Sequence, residues 1–251
     1  MSLVHTFELL SQLRQSLESL QQSKRLVFVL IGAPGCGKGT HAQWLSKEFN
    51  MLHLSTGEAL RQEIAKGTPL GVRLKASMEA GQLVSEEAIC NIVSNFIEQN
   101  RGPQGYIFDG FPRSIRQAET LEKALAKHGE RVSAVLFFSA NDQTIMSRLS
   151  GRRIHLPSGR TYHVTGKPPK VPGKDDVTGE DLVQRSDDCA EAIKQRLETY
   201  KRETQPLINF YRERKLLLTL NGNEEYPTVH RDIKELYALA KTMQRVEHPD
   251  N

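Results

Sequence analysis

The sequence predicts an α/β fold, a doubly wound and mainly parallel sheet of five strands, and three observations carry that expectation. Five short apolar stretches, 26–31, 51–54, 105–109, 132–138 and 216–220, alternate with segments of helical period. The first of them, Leu26-Val27-Phe28-Val29-Leu30-Ile31, is apolar throughout, as a strand buried on both faces must be. It runs directly into Gly32-Ala33-Pro34-Gly35-Cys36-Gly37-Lys38-Gly39-Thr40, and Ala42, Leu45 and Phe49 then recur at helical spacing, with Trp44 beside them. A strand, a glycine-rich turn and a helix are the setting in which G-x-x-x-x-G-K binds phosphate. Glycines let successive backbone N–H groups converge on phosphate oxygens, the helix N-terminus adds partial positive charge, and Lys38 reaches the terminal phosphates. Gly39 stands where most such loops carry Ser or Thr, and Thr40 follows one residue later.

Bulk properties narrow the class. A chain of 251 residues buries one substantial core with room for small inserted lobes. With 34 basic and 30 acidic residues the net charge is +4, too balanced to argue for a nucleic-acid partner. Three widely spaced cysteines, Cys36, Cys90 and Cys189, suggest neither a disulfide framework nor a zinc cluster and fit a reducing compartment. No apolar run reaches the ~18 residues of a membrane span.

In chain order, residues 1–23 read as an extension holding one amphipathic helix, with Leu3, Leu10, Leu13, Leu17 and Leu20 on a stripe. Glu8, Glu18 and the single Arg14 speak against a mitochondrial presequence. Between Leu54 and Val84 lie short helices and turns, opened by Ser55 or Thr56 as an N-cap ahead of Leu60, Arg61 and Ile64. A helix over 85–100 carries Ile89, Val93 and Phe96. The strand 105–109 ends in Asp109-Gly110-Phe111-Pro112-Arg113, and an aspartate there, beside a phosphate loop, suits a Mg2+ site acting through its water shell or, more plainly, a turn cap. Asn141 caps a helix ending at Ser150. Residues 151–180 then become rich in Gly, Pro and Lys, either a loop or a small β lobe. A long helix is expected from Ser186 to Arg214, kinked at Pro206, with Arg185 and Arg196 eleven residues apart and so facing one side. The last helix spans 227–246, through Val229, Ile233, Leu236, Leu239 and Ala240.

The loop Gly32–Thr40, the segment Leu54-Ser55-Thr56-Gly57-Glu58 with Leu60-Arg61, and Asp109–Arg113 followed by Gln117 together resemble adenylate kinases and related nucleoside monophosphate kinases, over residues 25–246. The resemblance implies a fold of the P-loop NTPase type with two insertions: a helical monophosphate-binding lobe at 55–84 and a lid at 151–185. The core is then 24–54, 85–150 and 186–251. The activity implied is Mg2+·ATP + AMP ⇌ 2 ADP. Lys38, Arg113, Arg152, Arg185 and Arg196 are the implied catalytic set. ATP falls to Gly35, Cys36, Gly37, Lys38, Gly39, Thr40, Arg148, Arg152, Thr161, Tyr162 and Glu224, with Arg148 on the donor base. AMP falls to Thr56, Arg61, Gln82, Leu83, Val84, Gly110, Phe111, Pro112, Arg113, Gln117, Arg185 and Arg196, and Mg2+ to Asp109 through water.

In the lid, His155, Ser158, Asp175 and Thr178 match positions that some adenylate kinases use for zinc. As ligands they are poor, and as a hydrogen-bonded cluster they are well suited, so no structural zinc is expected. ATP, AMP and ADP are the expected partners of a monomeric cytoplasmic enzyme, with the mitochondrial intermembrane space left open. A GTP:AMP phosphotransferase of the same family, a GTPase-like switch and a non-catalytic nucleotide sensor are the alternatives. Against the switch, the chain lacks Asn-Lys-x-Asp for guanine and its Thr40 is displaced, and a sensor would be expected to lose the arginines that are present here.

Overall fold

The computed structural model describes residues 25–79, 84–102 and 104–247, together with Ser11. Residues 1–23, apart from Ser11, and with them the expected N-terminal helix, lie outside the described residues, as do Gln82 and Leu83. Five strands form one parallel sheet: β1 (Val27–Gly32), β2 (Leu52–Ser55), β3 (Tyr106–Asp109), β4 (Ala134–Ser139) and β7 (Leu217–Asn221). Their order is β2-β3-β1-β4-β7. Each of the five expected strands is there, within two residues of its expected ends.

The pleat explains the unbroken apolar run of β1. Val27, Val29 and Ile31 point into one core with Phe108, Leu121 and Val135, while Leu26, Phe28 and Leu30 point into the other with Leu45, Leu136 and Ile233. Both faces are covered by helices, so neither set of side chains tolerates a polar residue. From β1 the chain winds first toward β2 and β3 and then back to β4 and β7. The strand order therefore reverses beside β1, and a crevice opens at the carboxyl ends of the strands.

Helix α1 (Lys38–Phe49) follows β1, and α2 (Thr56–Ala65), α3 (Pro69–Glu79) and α4 (Glu86–Gln99) fill the interval from β2 to β3. Ser55 caps α2 by accepting from the Glu58 N–H at 3.4 Å. Helix α5 (Ile115–Ala126) follows β3, and α6 (Asp142–Ser150) follows β4, its cap Asn141 accepting from the Thr144 N–H at 2.7 Å. Next comes a small antiparallel pair, β5 (Arg152–Ile154) and β6 (Thr161–His163), extended by bridges from Ile154 to Val183 and from Lys174 to Asp181. The segment 151–180 is thus a β lobe.

One expectation is corrected. Residues 186–214 are not a single kinked helix: a 3-10 turn (Ser186–Asp188), α7 (Ala190–Thr199), a π turn (Tyr200–Thr204) and α8 (Pro206–Glu213) succeed one another. Pro206 has no N–H to give, so the hydrogen bonding slips just before it, and the Gln205 N–H reaches the Tyr200 carbonyl, five residues back, at 2.8 Å. Arg185 lies ahead of the helix in extended backbone, so it does not share a helix face with Arg196. Last, α9 (Tyr226–Glu247) packs behind β7.

Candidate active site

The phosphate loop is a consequence of its glycines. Gly35 and Gly37 have φ of +82° and +105°, and a Cβ on Gly35 would stand 2.7 Å from Leu149 Cγ, so neither accommodates a side chain. Gly37 caps α1 without a side chain, leaving the first N–H groups of the helix turned toward the crevice. Lys38 folds over the loop, its Nζ donating to the carbonyls of Gly32 (2.7 Å) and Ala33 (2.9 Å). Cys36 is fully buried beneath it.

These groups open into a cleft of about 1310 Å³ bounded by the loop, β3, α2, α6, the β5–β6 lobe and the turn before α9. Lys38, Gly39, Thr40, Arg61, Asp109, Gly110, Pro112, Arg113, Arg148, Arg152, Thr161, Tyr162, Arg185, Arg196 and Glu224 all line it. Arg185 and Arg196 meet there despite their different elements. Phe111, Thr56 and Gln117 are buried behind the wall. The Thr56 hydroxyl donates to the Asp109 carbonyl at 3.3 Å, and the Gln117 Oε1 accepts from the Arg113 N–H at 2.8 Å. Val84 packs against the core.

The arginines are held in place. Arg113 Nε donates to the Gly110 carbonyl at 2.8 Å, and Arg148 Nη1 donates to the carbonyls of Cys36 (3.2 Å) and Gly222 (2.7 Å). Glu58 holds Arg61 through Nη2 at 3.0 Å. Asp188, fully buried, accepts Arg152 Nε at 2.7 Å and Nη2 at 2.5 Å, and Arg196 Nη1 at 3.0 Å. One carboxylate thus ties the lobe's arginine to that of α7. Burial, with Arg61 and Arg152 beside it, holds Arg185 down to about 9, and among the described residues its buried Nε has no hydrogen-bond partner. Burial and the neighbouring Arg196 lower Arg113 likewise. Guanidinium groups that repel one another around a cavity mark a place for a polyanion.

At the tip of β3, burial raises the Asp109 carboxyl, but His53, Lys38 and Arg113 outweigh it, and the group stays below its ordinary value as a carboxylate. His53 Nε2 is 3.7 Å from Asp109 Oδ2. In the β5–β6 lobe, His155 Nδ1 pairs with Ser158 Oγ at 2.6 Å, and Thr178 Oγ1 donates to Asp175 Oδ2 at 3.0 Å. The cluster is larger than the four residues expected from sequence. Arg160 grips both Asp175 oxygens (2.8 and 2.6 Å), the Tyr162 hydroxyl donates to Asp175 Oδ1 at 2.9 Å, and Glu180 engages His155 Nε2. The Arg160 hydrogen bonds hold Asp175 far below the usual carboxylate range.

Sequence reasoning missed Asp188, His53, Glu58, Arg160 and Glu180. A signal existed for Asp188: an acidic pair, Asp187-Asp188, one residue beyond a cleft-facing arginine, after Ser186.

An arginine cage around a phosphate loop, at the switch point of a parallel sheet, defines a phosphoryl-transferring enzyme of the P-loop class. The comparisons narrow that class. Residues 30–216 match the family model described as "Adenylate kinase". The chain is 41% identical to adenylate kinase 4 of Arabidopsis thaliana over 233 residues, covering 92% of this chain and 94% of the relative. It is 43% identical to an adenylate kinase of Kluyveromyces lactis over 220 residues, 87% and 96% of the two chains. Against one from Vanderwaltozyma polyspora it is 47% identical over 194 residues, 77% and 87% of the two. The chain belongs to the adenylate kinase family and is a nucleoside monophosphate kinase.

Proposed function

We propose that this enzyme transfers a phosphoryl group reversibly between Mg2+·ATP and AMP, giving two ADP, with the residue roles that follow. The observation that supports it most is the ring of Arg61, Arg113, Arg152, Arg185 and Arg196 across one cleft from Lys38 and the loop. Phosphoryl transfer places developing negative charge between two polyphosphates, and the attacking AMP phosphate is already an anion at neutral pH. Catalysis is then positioning and charge stabilisation, with no side-chain base required.

On this reading the β- and γ-phosphates draw Lys38 off the Gly32 and Ala33 carbonyls and onto the donor. Arg61 exchanges Glu58 for the AMP phosphate, which Arg113 also holds. Arg152, Arg185 and Arg196 surround the group in flight, and the 55–84 and 151–185 lobes exclude water by closing. The residues fit a magnesium ion: Asp109 is a carboxylate at the loop's edge, with the side-chain-free Gly39 beside its Oδ2 at the close range of 3.4 Å from any added Cβ. Held through water by Asp109, magnesium would neutralise charge on the donor phosphates. The lobe needs no zinc on this reading, since both Asp175 oxygens are already satisfied by Arg160, Tyr162 and Thr178.

The enzyme is read as a cytoplasmic monomer. No helix among the described residues is long and apolar enough to cross a membrane. A coupled ADP-formation assay over ATP and GTP as donors, and AMP, GMP, CMP and UMP as acceptors, tests the assignment. ATP with AMP is expected to be fastest, and a faster rate with CMP or GMP as acceptor would overturn it.

A further inference from the structure

The π turn between α7 and α8 lies in the cleft wall, which Tyr200 and Thr204 both line. Turns of this kind insert one residue into a helix and recur at functional sites. Tyr200, at its start, packs on the cluster of Ala33, Ile145, Leu149 and Ile193 beside the phosphate loop. Thr204, at its end, is buried, on the same stripe as Leu207 and Tyr211, which α8 turns into the core. A hydroxyl on a buried stripe needs an acceptor. In a helix the usual one is the carbonyl four residues back. For Thr204 that is the Tyr200 carbonyl, and the π turn gives it to the Gln205 N–H at 2.8 Å. The Thr204 hydroxyl instead donates across the chain to the Arg113 carbonyl at 3.0 Å, 91 residues away.

Arg113 needs such a hold. It stands in the loop between β3 and α5, and its guanidinium has Arg196 and Arg61 as like-charged neighbours. Its side chain is tied by Nε, which donates to the Gly110 carbonyl at 2.8 Å. Its backbone N–H donates to Gln117 Oε1 at 2.8 Å, and its carbonyl accepts from Thr204. Ser114 secures Gln117 in turn by capping α5, its Oγ accepting from the Gln117 N–H at 3.2 Å. Of these holds only Thr204 comes from outside the segment 110–117. It ties that segment to the pair of helices that carries Arg196.

We infer that Thr204 is a positioning residue for the acceptor side of the reaction: through the Arg113 carbonyl it sets where the Arg113 guanidinium meets the acceptor phosphate. This deepens the proposed function and rests on its assignment of Arg113 to AMP. The π turn thereby has a task beyond accommodating Pro206, since it frees the Thr204 hydroxyl for another segment. Displacing a phosphate clamp by about 1 Å is enough to lose much of its worth, so a single hydrogen bond to its backbone reaches the substrate. The donor side, held by the loop and Lys38, does not depend on it.

Calorimetry with AMP and with ATP, and amide hydrogen exchange at Arg113 without nucleotide, test this on the full chain. The variants are Thr204→Val, which keeps the volume and loses the donor, and Thr204→Ser, which keeps the donor. Thr204→Val is expected to weaken AMP about tenfold, the worth of one well-made hydrogen bond, while ATP stays within about twofold of wild type. Exchange of the Arg113 N–H should quicken in the same variant, because the loop is released from one side. Thr204→Ser should match wild type within about twofold in both measurements. Thr204→Ala also removes the donor and carries the test if the valine variant does not fold. Wild-type AMP affinity and wild-type Arg113 exchange in the donor-less variants overturn the inference. A serine variant as impaired as the valine one also overturns it, assigning the effect to packing, and so does an equal loss of ATP and AMP. Faster Arg113 exchange with unchanged AMP affinity keeps the hold on Arg113 and takes Arg113 off the acceptor phosphate, which counts against the proposed function.

Discussion

The His41 ring predicts how the protein responds to acid. Burial, then His230 and Arg148, hold this imidazole down to about 3 from an ordinary 6.5. Below pH 6.5 the unfolded chain takes up a proton there that the native chain refuses. The native state is therefore favoured fully above pH 6.5 and loses stability as pH falls from 6.5 toward 3. One such proton is worth about 1.4 kcal/mol per pH unit, so the loss between pH 7.5 and 5.0 is about 2 kcal/mol. His41→Phe keeps a ring for Phe138 to stack on and removes the titration. Denaturant unfolding at both pH values, followed by the fluorescence of the single tryptophan, Trp44, reads the effect in the ring cluster itself. Wild type should lose about 2 kcal/mol more than the variant on going to pH 5.0. Equal losses would refute the idea that a buried neutral imidazole supports the phosphate loop.

Three further outcomes follow from the site. Lys38→Ala should fold normally and lower kcat/KM about a hundred- to a thousandfold, the range for removing one preorganised charge contact, and near-wild-type turnover would contradict its place on the phosphates. Asp188→Asn removes the charge that aligns Arg152 with Arg196, so kcat should fall about a hundredfold with a smaller change in the KM for AMP; an unchanged kcat would free Asp188 of that role. Asp175→Ala should loosen the 151–185 lobe to hydrogen exchange while sparing the main unfolding transition, and elemental analysis of wild type should find no stoichiometric zinc; about one tightly held zinc per chain would refute the hydrogen-bonded lid.

The fold was legible because its determinants are local. The unbroken run from Leu26 to Ile31 requires a strand covered on both faces, and glycines at 35 and 37 require a backbone that other residues resist. Helix caps at Ser55 and Asn141 were readable for the same reason. The stretch 186–214 was misread because its apolar spacing is helical throughout. The period does not record that Pro206 displaces the hydrogen bonding one residue and opens a π turn, nor that the chain is extended at Cys189, so that the helix starts only at Ala190 and Arg185 stands ahead of a separate 3-10 turn.

At the site, arginines were legible as a set, and their partners were not. Asp188 touches Arg152 across 36 residues of chain, and His53 meets Asp109 from a neighbouring strand. Those pairings exist only once β3 lies beside β2 and the lobe folds back on α7. The lid cluster was half seen for a related reason. His155, Ser158, Asp175 and Thr178 sit in matched turns, whereas Arg160 and Tyr162 reach Asp175 from the opposite side of a hairpin.

The central claim is that two nucleotides lie in line in one cleft, phosphate to phosphate, between Lys38 and the arginines. The most direct measurement is calorimetric binding of a molecule joining two adenosines through five phosphates. It spans both sites at a single translational cost and satisfies the arginine cage in one step. Binding of one molecule per chain, far more tightly than ATP or AMP alone, is the predicted result. An affinity no better than that of ATP would mean that the two sites do not face each other, and would contradict the account.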